Sequence, residues 1–479
     1  MAHLLYLDTL ASKKIQRHPA TIEDLPAKLL AKIFHVVHSE SVAELSRPPT
    51  DDPYDKKWFL RPEFVLPRFP DTLIRVSAHW HDIISSIPEF RTNIVFAIDI
   101  VKPIPIFEIQ SSLDQSFDLP LDILITRCPG SARPTSDEET AVLSPLVALF
   151  APHFHRCRSL SFYGIHSSAL PQLGRDLSGT LPSLVTLRLE CEIDDGDASP
   201  TFAWQSISCP KLDTLTLDGH NFVNMTNMNR SWPLQFPELK SLSIVHLKPS
   251  SNEGEMVNGE RISLYGFLDV LVDGSLRLEY LRLRDVELTN PYSEEFFVDL
   301  SLKKALVLED LSRSFVYELL FSLKLRSAEL HVSRCSLNAM GRLPPTLALR
   351  LEEIGEFDNV AGHLKDWQGT SLTFVRCMGF GDDFLDMLAA VGSYSGAAHL
   401  SRLTIMDCPN FTVDSLKRMI GSRNKKVEEG DVWPGPPALE ELVVTGKGPA
   451  VDTADAEWLR SRLKYLHWRV AEVDGDAND

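Results

Sequence analysis

LPSLVTLRLE (181–190), CPKLDTLTLDG (209–219) and FPELKSLSIVH (236–246) are written on one template, and CRSLSFYG (157–164) repeats its second half. The template is an apolar residue, two variable ones, an apolar, one variable, an apolar. Taking Leu160, Leu187, Leu215 and Leu242 as equivalent, the steps are 27, 28 and 27 residues. The closing alternation predicts a short strand, and the rest of each period must return the chain to start the next one. Further copies are LRLEYLRLRD (276–285), LRSAELHVSRC (325–335), TSLTFVRC (370–377), LSRLTIMDC (400–408), ALEELVVTG (438–446) and SRLKYLHWR (461–469). Later spacing is irregular, with 39 residues from Leu403 to Leu442 and 24 from Leu442 to Leu466. DDFLDMLAAVG (382–392) and TVDSLKRMIG (412–421) carry helical spacing and read as returns. An α/β domain with unrelated leucine-rich strands is the alternative.

Three of the seven cysteines occupy one slot of this template: Leu330-x-Val332-x-x-Cys335, Leu372-x-Phe374-x-x-Cys377 and Leu403-x-Ile405-x-x-Cys408. The repeat resembles the leucine-rich-repeat family, in which that slot follows the strand and points inward. Cys209, before Pro210-Lys211-Leu212, resembles the opening cysteine of the cysteine-containing repeats common in F-box proteins. These thiols read as small buried hydrophobes. No Cys-x-x-Cys occurs and no second ligand pair matches, so no metal site and no cofactor is expected.

Upstream, IEDLPAKLLAKIF (22–34) places Ile22, Leu25, Leu29, Leu30, Ile33 and Phe34 on one helical face, with Asp24 as a capping carboxylate and Pro26 in the first turn. RVSAHWHDIISSIPEF (75–90) gives a second face from Val76, Trp80, Ile83, Ile84 and Ile87, stopped by Pro88. The pair resembles an F-box, the module that docks on the adaptor of a cullin-based ubiquitin ligase. The resemblance implies adaptor contacts from Ile22, Leu25, Pro26, Leu29, Leu30, Ile33, Phe34, Val76, Trp80 and Ile83. It departs from the family in residues 39–70, which hold Pro48, Pro49, Pro53, Pro62, Pro67 and Pro70 and read as an inserted loop. Similar insertions occur in the F-box-like proteins of fungi.

Between the two regions, RTNIVFAID (91–99) and LPLDILITR (119–127) read as strands, SARPTSDEET (131–140) as a solvated loop, and LSPLVALFAPHF (143–154) as a helix. A net charge of −18 disfavours nucleic acid or an anionic membrane as partner. No apolar run reaches membrane-spanning length. With no signal peptide recognised and scattered cysteines, the expectation is a cytoplasmic or nuclear protein.

The search for chemistry finds little. His35, His38, His79 and His81 read as solvent-facing, Asp194, Asp195 and Asp197 as a solvated acidic turn, and Gly379-x-Gly381 as a plain turn. No nucleotide-loop or nucleophile-elbow motif is present, so no catalytic residue is assigned and the chain is not expected to be an enzyme. Binding remains. The strand residues between the apolar ones are expected on an open face: Thr186, Arg188 and Glu190; Thr214, Thr216 and Asp218; Tyr280, Arg282 and Arg284; Arg402, Thr404 and Met406; Tyr465, His467 and Arg469. Tyr280, Arg282 and Arg284 are the candidate target contacts, since Tyr and Arg dominate interface hot spots.

The expected organisation is an α+β to α/β chain. An N-terminal extension (1–19) precedes an F-box-like module (20–92), a leucine-rich-repeat solenoid with helical or loop returns (93–470) and an acidic tail (471–479). The resemblance implies the substrate receptor of a cullin-type (SCF) ligase, with the adaptor, and through it a cullin, as one partner and an unidentified protein target as the other. A repeat scaffold without a ligase role is one alternative. A parallel β-helix enzyme acting on polysaccharide is another.

Overall fold

The computed structural model describes residues 22, 25–46, 69–99, 104–128, 133–195, 205–248, 262–274, 278–288, 297–337, 343–355, 358, 360–364, 367–389, 397–428 and 438–470. Asp24, Asp197, residues 47–68 of the expected insertion, the N-terminal extension and the acidic tail lie outside them. The chain divides into two compact units. The first takes the described residues up to Ala97 with Pro105–Asp122; the second takes Ile123–Arg127 and the described residues from Arg133 onward.

In the first unit, helix α1 (Ala27–Ser46) begins directly after Pro26, and α2 (Ala78–Ser85) begins after Ser77, whose hydroxyl accepts from the Trp80 N–H at 3.3 Å. α1 continues to Ser46, so the expected loop starting at 39 opens with helix. Leu30 and Phe34 of α1 pack with Trp80, Ile84 and Phe90 in a small core, and the Phe34 and Trp80 rings meet edge to face at 4.9 Å. Strand β1 (Asn93–Ile98) and helix α3 (Ile106–Gln115) follow.

The second unit is a mixed α/β structure built on a long parallel sheet. After β2 (Leu121–Arg127) come helix α4 (Ser136–Phe150) and strands β3 (Cys157–His166), β4 (Thr186–Ile193), β5 (Thr214–Asp218), β6 (Ser241–Leu247) and β7 (Tyr280–Val286). β8 (Ala305–Glu309), β9 (Glu329–Ser333), β10 (Ala348–Glu352), β11 (Ser371–Val375), β12 (Arg402–Met406), β13 (Glu441–Gly446) and β14 (Tyr465–Val470) complete it. From β3 onward the strands lie side by side in chain order, each parallel to the last. Parallel neighbours require a crossover, and helices α5 (Gly219–Met228), α6 (Leu264–Gly274), α7 (Arg313–Ser322), α8 (Asp382–Ala389), α9 (Val413–Glu428) and α10 (Thr453–Arg462) serve in six of these returns.

One leucine per strand sets the register: Leu160, Leu187, Leu215, Leu242, Leu281, Leu306, Leu330, Leu349, Leu372, Leu403, Leu442 and Leu466 face their neighbours in turn. All but Leu466 are buried. The template missed β8 and β10. Their first apolar slot holds Lys303 or Thr346, and no cysteine follows, Leu311 and Ile354 taking that buried slot instead. The loop expected over 131–140 also needs correcting. Thr135 and Glu138 form a reciprocal capping box that starts α4 at Ser136 and satisfies free N–H groups of its first turn.

Four residues beyond the aligned leucine, His246, Asp285, Asp310, Arg334, Glu353, Arg376 and Asp407 all take φ of 50–52°, and Gly446 takes 75°. Left-handed backbone costs a side-chain-bearing residue about 1–2 kcal/mol. A hydrogen bond offsets it at successive strand ends. The N–H of Asp310, Arg334, Glu353, Arg376 and Asp407 donates to the carbonyl of Ser333, Glu352, Val375, Met406 and Thr445 on the next strand, at 2.8–3.1 Å. Gly446 has a further reason to be glycine, since a Cβ there would lie 2.1 Å from Asp407 Oδ1.

Candidate functional site

On α1, positions one residue apart form two stripes with opposite fates. Leu30 and Phe34 face the core, whereas Leu29, Ile33 and Val36, spaced four and three residues apart, stand in solvent at 39–57% exposure. Ile22 and Val76 are exposed to a similar degree and Pro26 is exposed, while Leu25 and Ile83 are partly covered. The structure therefore sorts the ten residues of the adaptor expectation. Leu30, Phe34 and Trp80 hold the unit together; Ile22, Pro26, Leu29, Ile33 and Val76 are available at its surface. Val36, which the sequence reading passed over, extends the exposed stripe and lines a shallow depression of about 350 Å³ with His35, Ser39 and Glu40.

The histidines differ from expectation in one case. His35, His79 and His81 are exposed. His38 is half-buried against the rings of Phe69 and Phe90, lies 3.3 Å from the Asn93 amide, and has its pKa lowered by burial and by neighbouring His35.

The sheet face of the second unit departs further. Glu190 and Asp218 are fully buried, and Thr216 and Arg284 nearly so, although all four were expected in the open. Arg188 Nε donates to Glu190 at 2.6 Å, and Arg284 Nη1 approaches the other Glu190 oxygen to 2.7 Å. Burial alone would raise the Glu190 pKa, but these guanidinium groups and that of Arg282 hold it well below the carboxylate range. Arg284 also donates to His246 Nε2 at 3.0 Å. His246 Nδ1 meets Asp285 at 2.7 Å, and that bond with Lys248 brings Asp285 down to about 2. Arg282 donates to Glu309 at 2.9 Å, Glu309 accepts from Arg334, and Arg334 reaches Asp310 at 2.6 Å and Glu353 at 3.7 Å. Arg376 continues the line to Glu352 and Glu353. Thus Arg282 and Arg284 are members of a charge network and not a basic spot. Tyr280 lines a cleft of about 390 Å³ with Asp213, Lys240, Ser241, Glu279 and Lys304.

Cys335, Cys377 and Cys408 share one inward position, five residues past the aligned leucine. Cys335, Cys377 and Cys408 are buried and free, burial pushing them up to about 12, 12 and 11, and Cys209 likewise to about 12. Leu311 N–H donates to Cys335 Sγ and Cys377 N–H to Cys408 Sγ, each at 3.4 Å. Thiols so placed act as packing and as weak acceptors.

Asp194 is exposed as expected, whereas Asp195 is partly covered and bonded. Asp195 accepts from the Ser168 hydroxyl at 2.5 Å and its N–H at 2.9 Å, and lies 3.2 Å from His166 Nδ1. The residue types match a hydrolytic triad; the order does not. A relay needs the imidazole between hydroxyl and carboxylate. Here Ser168 bonds the carboxylate directly, and His166 Nε2 lies 3.1 Å from the Pro134 carbonyl. Among the described residues no group of three or more His, Cys, Asp or Glu could hold a metal ion.

The chain matches no known family model and no curated protein.

Sequence reasoning missed the buried carboxylates because their partners are remote in the chain. Glu190 and Arg284 are brought together only by the stacking of β4 to β7. A signal was present: glutamate or aspartate at the strand's third position past the leucine in Glu190, Asp218, Glu309 and Glu352, with arginine at the first position in Arg188, Arg282 and Arg350. Among the described residues no helix is long and apolar enough to cross a membrane.

Proposed function

We propose that the chain is an F-box-like, leucine-rich-repeat substrate receptor of a cullin-type ubiquitin ligase, acting in the cytoplasm or nucleus. The observation that carries this reading is the pair of stripes on α1. A small unit that buries Leu30, Phe34, Trp80, Ile84 and Phe90 keeps Leu29, Ile33 and Val36 exposed on the adjoining stripe. Apolar side chains left outward at helical spacing suit a groove-forming helical partner, which is how an adaptor would hold this unit. The long sheet then offers its rigid, charge-patterned face to a target protein in the region of Tyr280, with Arg282 and Arg284 engaged in the ion pairs beside it. Such a receptor supplies no catalytic group; it raises the local concentration of the target beside the transferring enzyme.

The test uses the full chain and purified ligase adaptor. Micromolar binding is expected, and Leu29→Asp with Ile33→Asp should abolish it while leaving the melting temperature unchanged. A native chain that does not bind the adaptor at micromolar concentration overturns the reading.

A further inference from the structure

The last strand of the sheet is covered differently from its neighbours. On β13 the inward Leu442 and Val444 are fully buried, whereas Leu466, Trp468 and Val470 on β14 are only half-buried and Tyr465, His467 and Arg469 are exposed. Among the described residues β14 pairs with β13 alone. Tyr465 N–H donates to the Glu440 carbonyl at 3.1 Å. Backbone groups alternate sides along a strand, so those of Leu466, Trp468 and Val470 face the outer edge. The stacking that buries every earlier leucine of the row stops one layer short, and a further strand would supply both the missing ladder and the missing cover.

Charge decides what that strand is. The stretch RSRLKYLHWR (460–469) contains Arg460, Arg462, Lys464, His467 and Arg469 and no acid, on a chain whose net charge is −18. Glu440 meets Lys464 at 2.6 Å; Arg460, Arg462 and Arg469 are exposed. Two copies of this edge would set like charges side by side, the device by which edge strands avoid self-pairing. An acidic strand meets complementary charge instead.

We propose that the outer edge of β14 is a docking site for an extended acidic segment of a partner protein, added as one more strand of the sheet. Alternate apolar side chains of that segment cover Leu466, Trp468 and Val470, and the intervening acids lie beside His467 and Arg469. The proposal does not depend on adaptor docking by the first unit.

The experiment measures fluorescence anisotropy of a labelled octapeptide of alternating valine and glutamate titrated with the full chain. Saturable binding that weakens with salt is expected. His467→Glu with Arg469→Glu should weaken it by about tenfold or more, with an unchanged melting curve. The same peptide N-methylated at alternate residues should not bind, because it cannot complete the ladder. No binding, equal binding of a valine–lysine peptide, or indifference to N-methylation overturns the proposal. So does a dimer in sedimentation that the charge reversals dissolve, since a second copy then fills the edge.

Discussion

Helix α1 and the sheet face around Glu190 invert each other's expected exposure. On α1, leucine and isoleucine at Leu29 and Ile33 stand in solvent; on the sheet, Glu190 and Asp218 are fully enclosed. On the helix the next residue, Leu30, turns inward, whereas on the strand Leu189 and Glu190 are both buried. Residue type alone therefore misplaces both sets. What decides is whether the structure brings a partner. Glu190 is met by guanidinium groups from its own strand and from β7, so its burial is compensated, while Leu29 is met by nothing among the described residues that covers it.

The contrast can be broken by mutation. Removing one member of a buried ion pair leaves the other charge enclosed and unpaired. Glu190→Ala, which leaves Arg188 and Arg284 together in a closed space, should lower the unfolding free energy by about 3–5 kcal/mol in urea titration. A loss below about 1 kcal/mol would mean that the face is wetter than its burial implies.

Asp218 sharpens the comparison, because it is the buried acid without a guanidinium partner. Burial pushes its pKa up to about 7, with Asn221 hydrogen bonds opposing and Asp194 adding to the rise. The unfolded value is about 3.9, so between about pH 4 and 7 the folded chain holds this proton more tightly than the unfolded one. The carboxylate's penalty is fully present above pH 7 and is relieved as pH falls towards 4. Asp218→Asn keeps a residue able to cap α5, which now accepts from Asn221 N–H at 3.2 Å. The variant should be more stable than the parent by about 1–3 kcal/mol at pH 8, with the gap narrowing as pH falls towards 4. A gap that does not change with pH would contradict the assignment.

The smallest effect belongs to the exposed stripe. Leu29→Ala should change stability by less than about 0.5 kcal/mol in the same urea titration, since it uncovers no core. A loss of about 2 kcal/mol or more would show that Leu29 is covered within this chain and is not a docking residue.

Much of the second unit was legible. A strand needs an alternation and a return, both local, so the leucine template located ten of the strands by their own residues. β8 and β10 escaped because Lys303 and Thr346 broke the template and no cysteine followed to mark the strand, as Cys335 and Cys377 mark β9 and β11, where Ser327 and Gly369 break the same slot. The capping box at Thr135 was likewise written in the sequence, but the run of acids that follows reads as solvated until Glu138 is seen folding back on the helix start. The candidate surfaces were less legible. Periodicity identifies a helical face without saying how much of it a neighbour covers, which is why ten residues in and just before α1 and α2 shared one expectation and then separated. Arg282 and Arg284 misled for a different reason: their carboxylates, Glu309 and Glu190, come from other strands.

The row of left-handed residues at the strand ends governs how the chain can change length. Asp310, Arg334, Glu353, Arg376 and Asp407 each lock their N–H onto the following strand, so these strands are indexed to their neighbours at that point and not through the segments that connect them. The connections can then lengthen independently. The segment between Leu403 and Leu442 is long, yet Asp407 bonds Thr445 and the leucines on either side pair in step. Insertions and deletions should accumulate between strands with no cost in alignment, while a single residue gained or lost between an aligned leucine and its left-handed partner would put that strand out of step with the next.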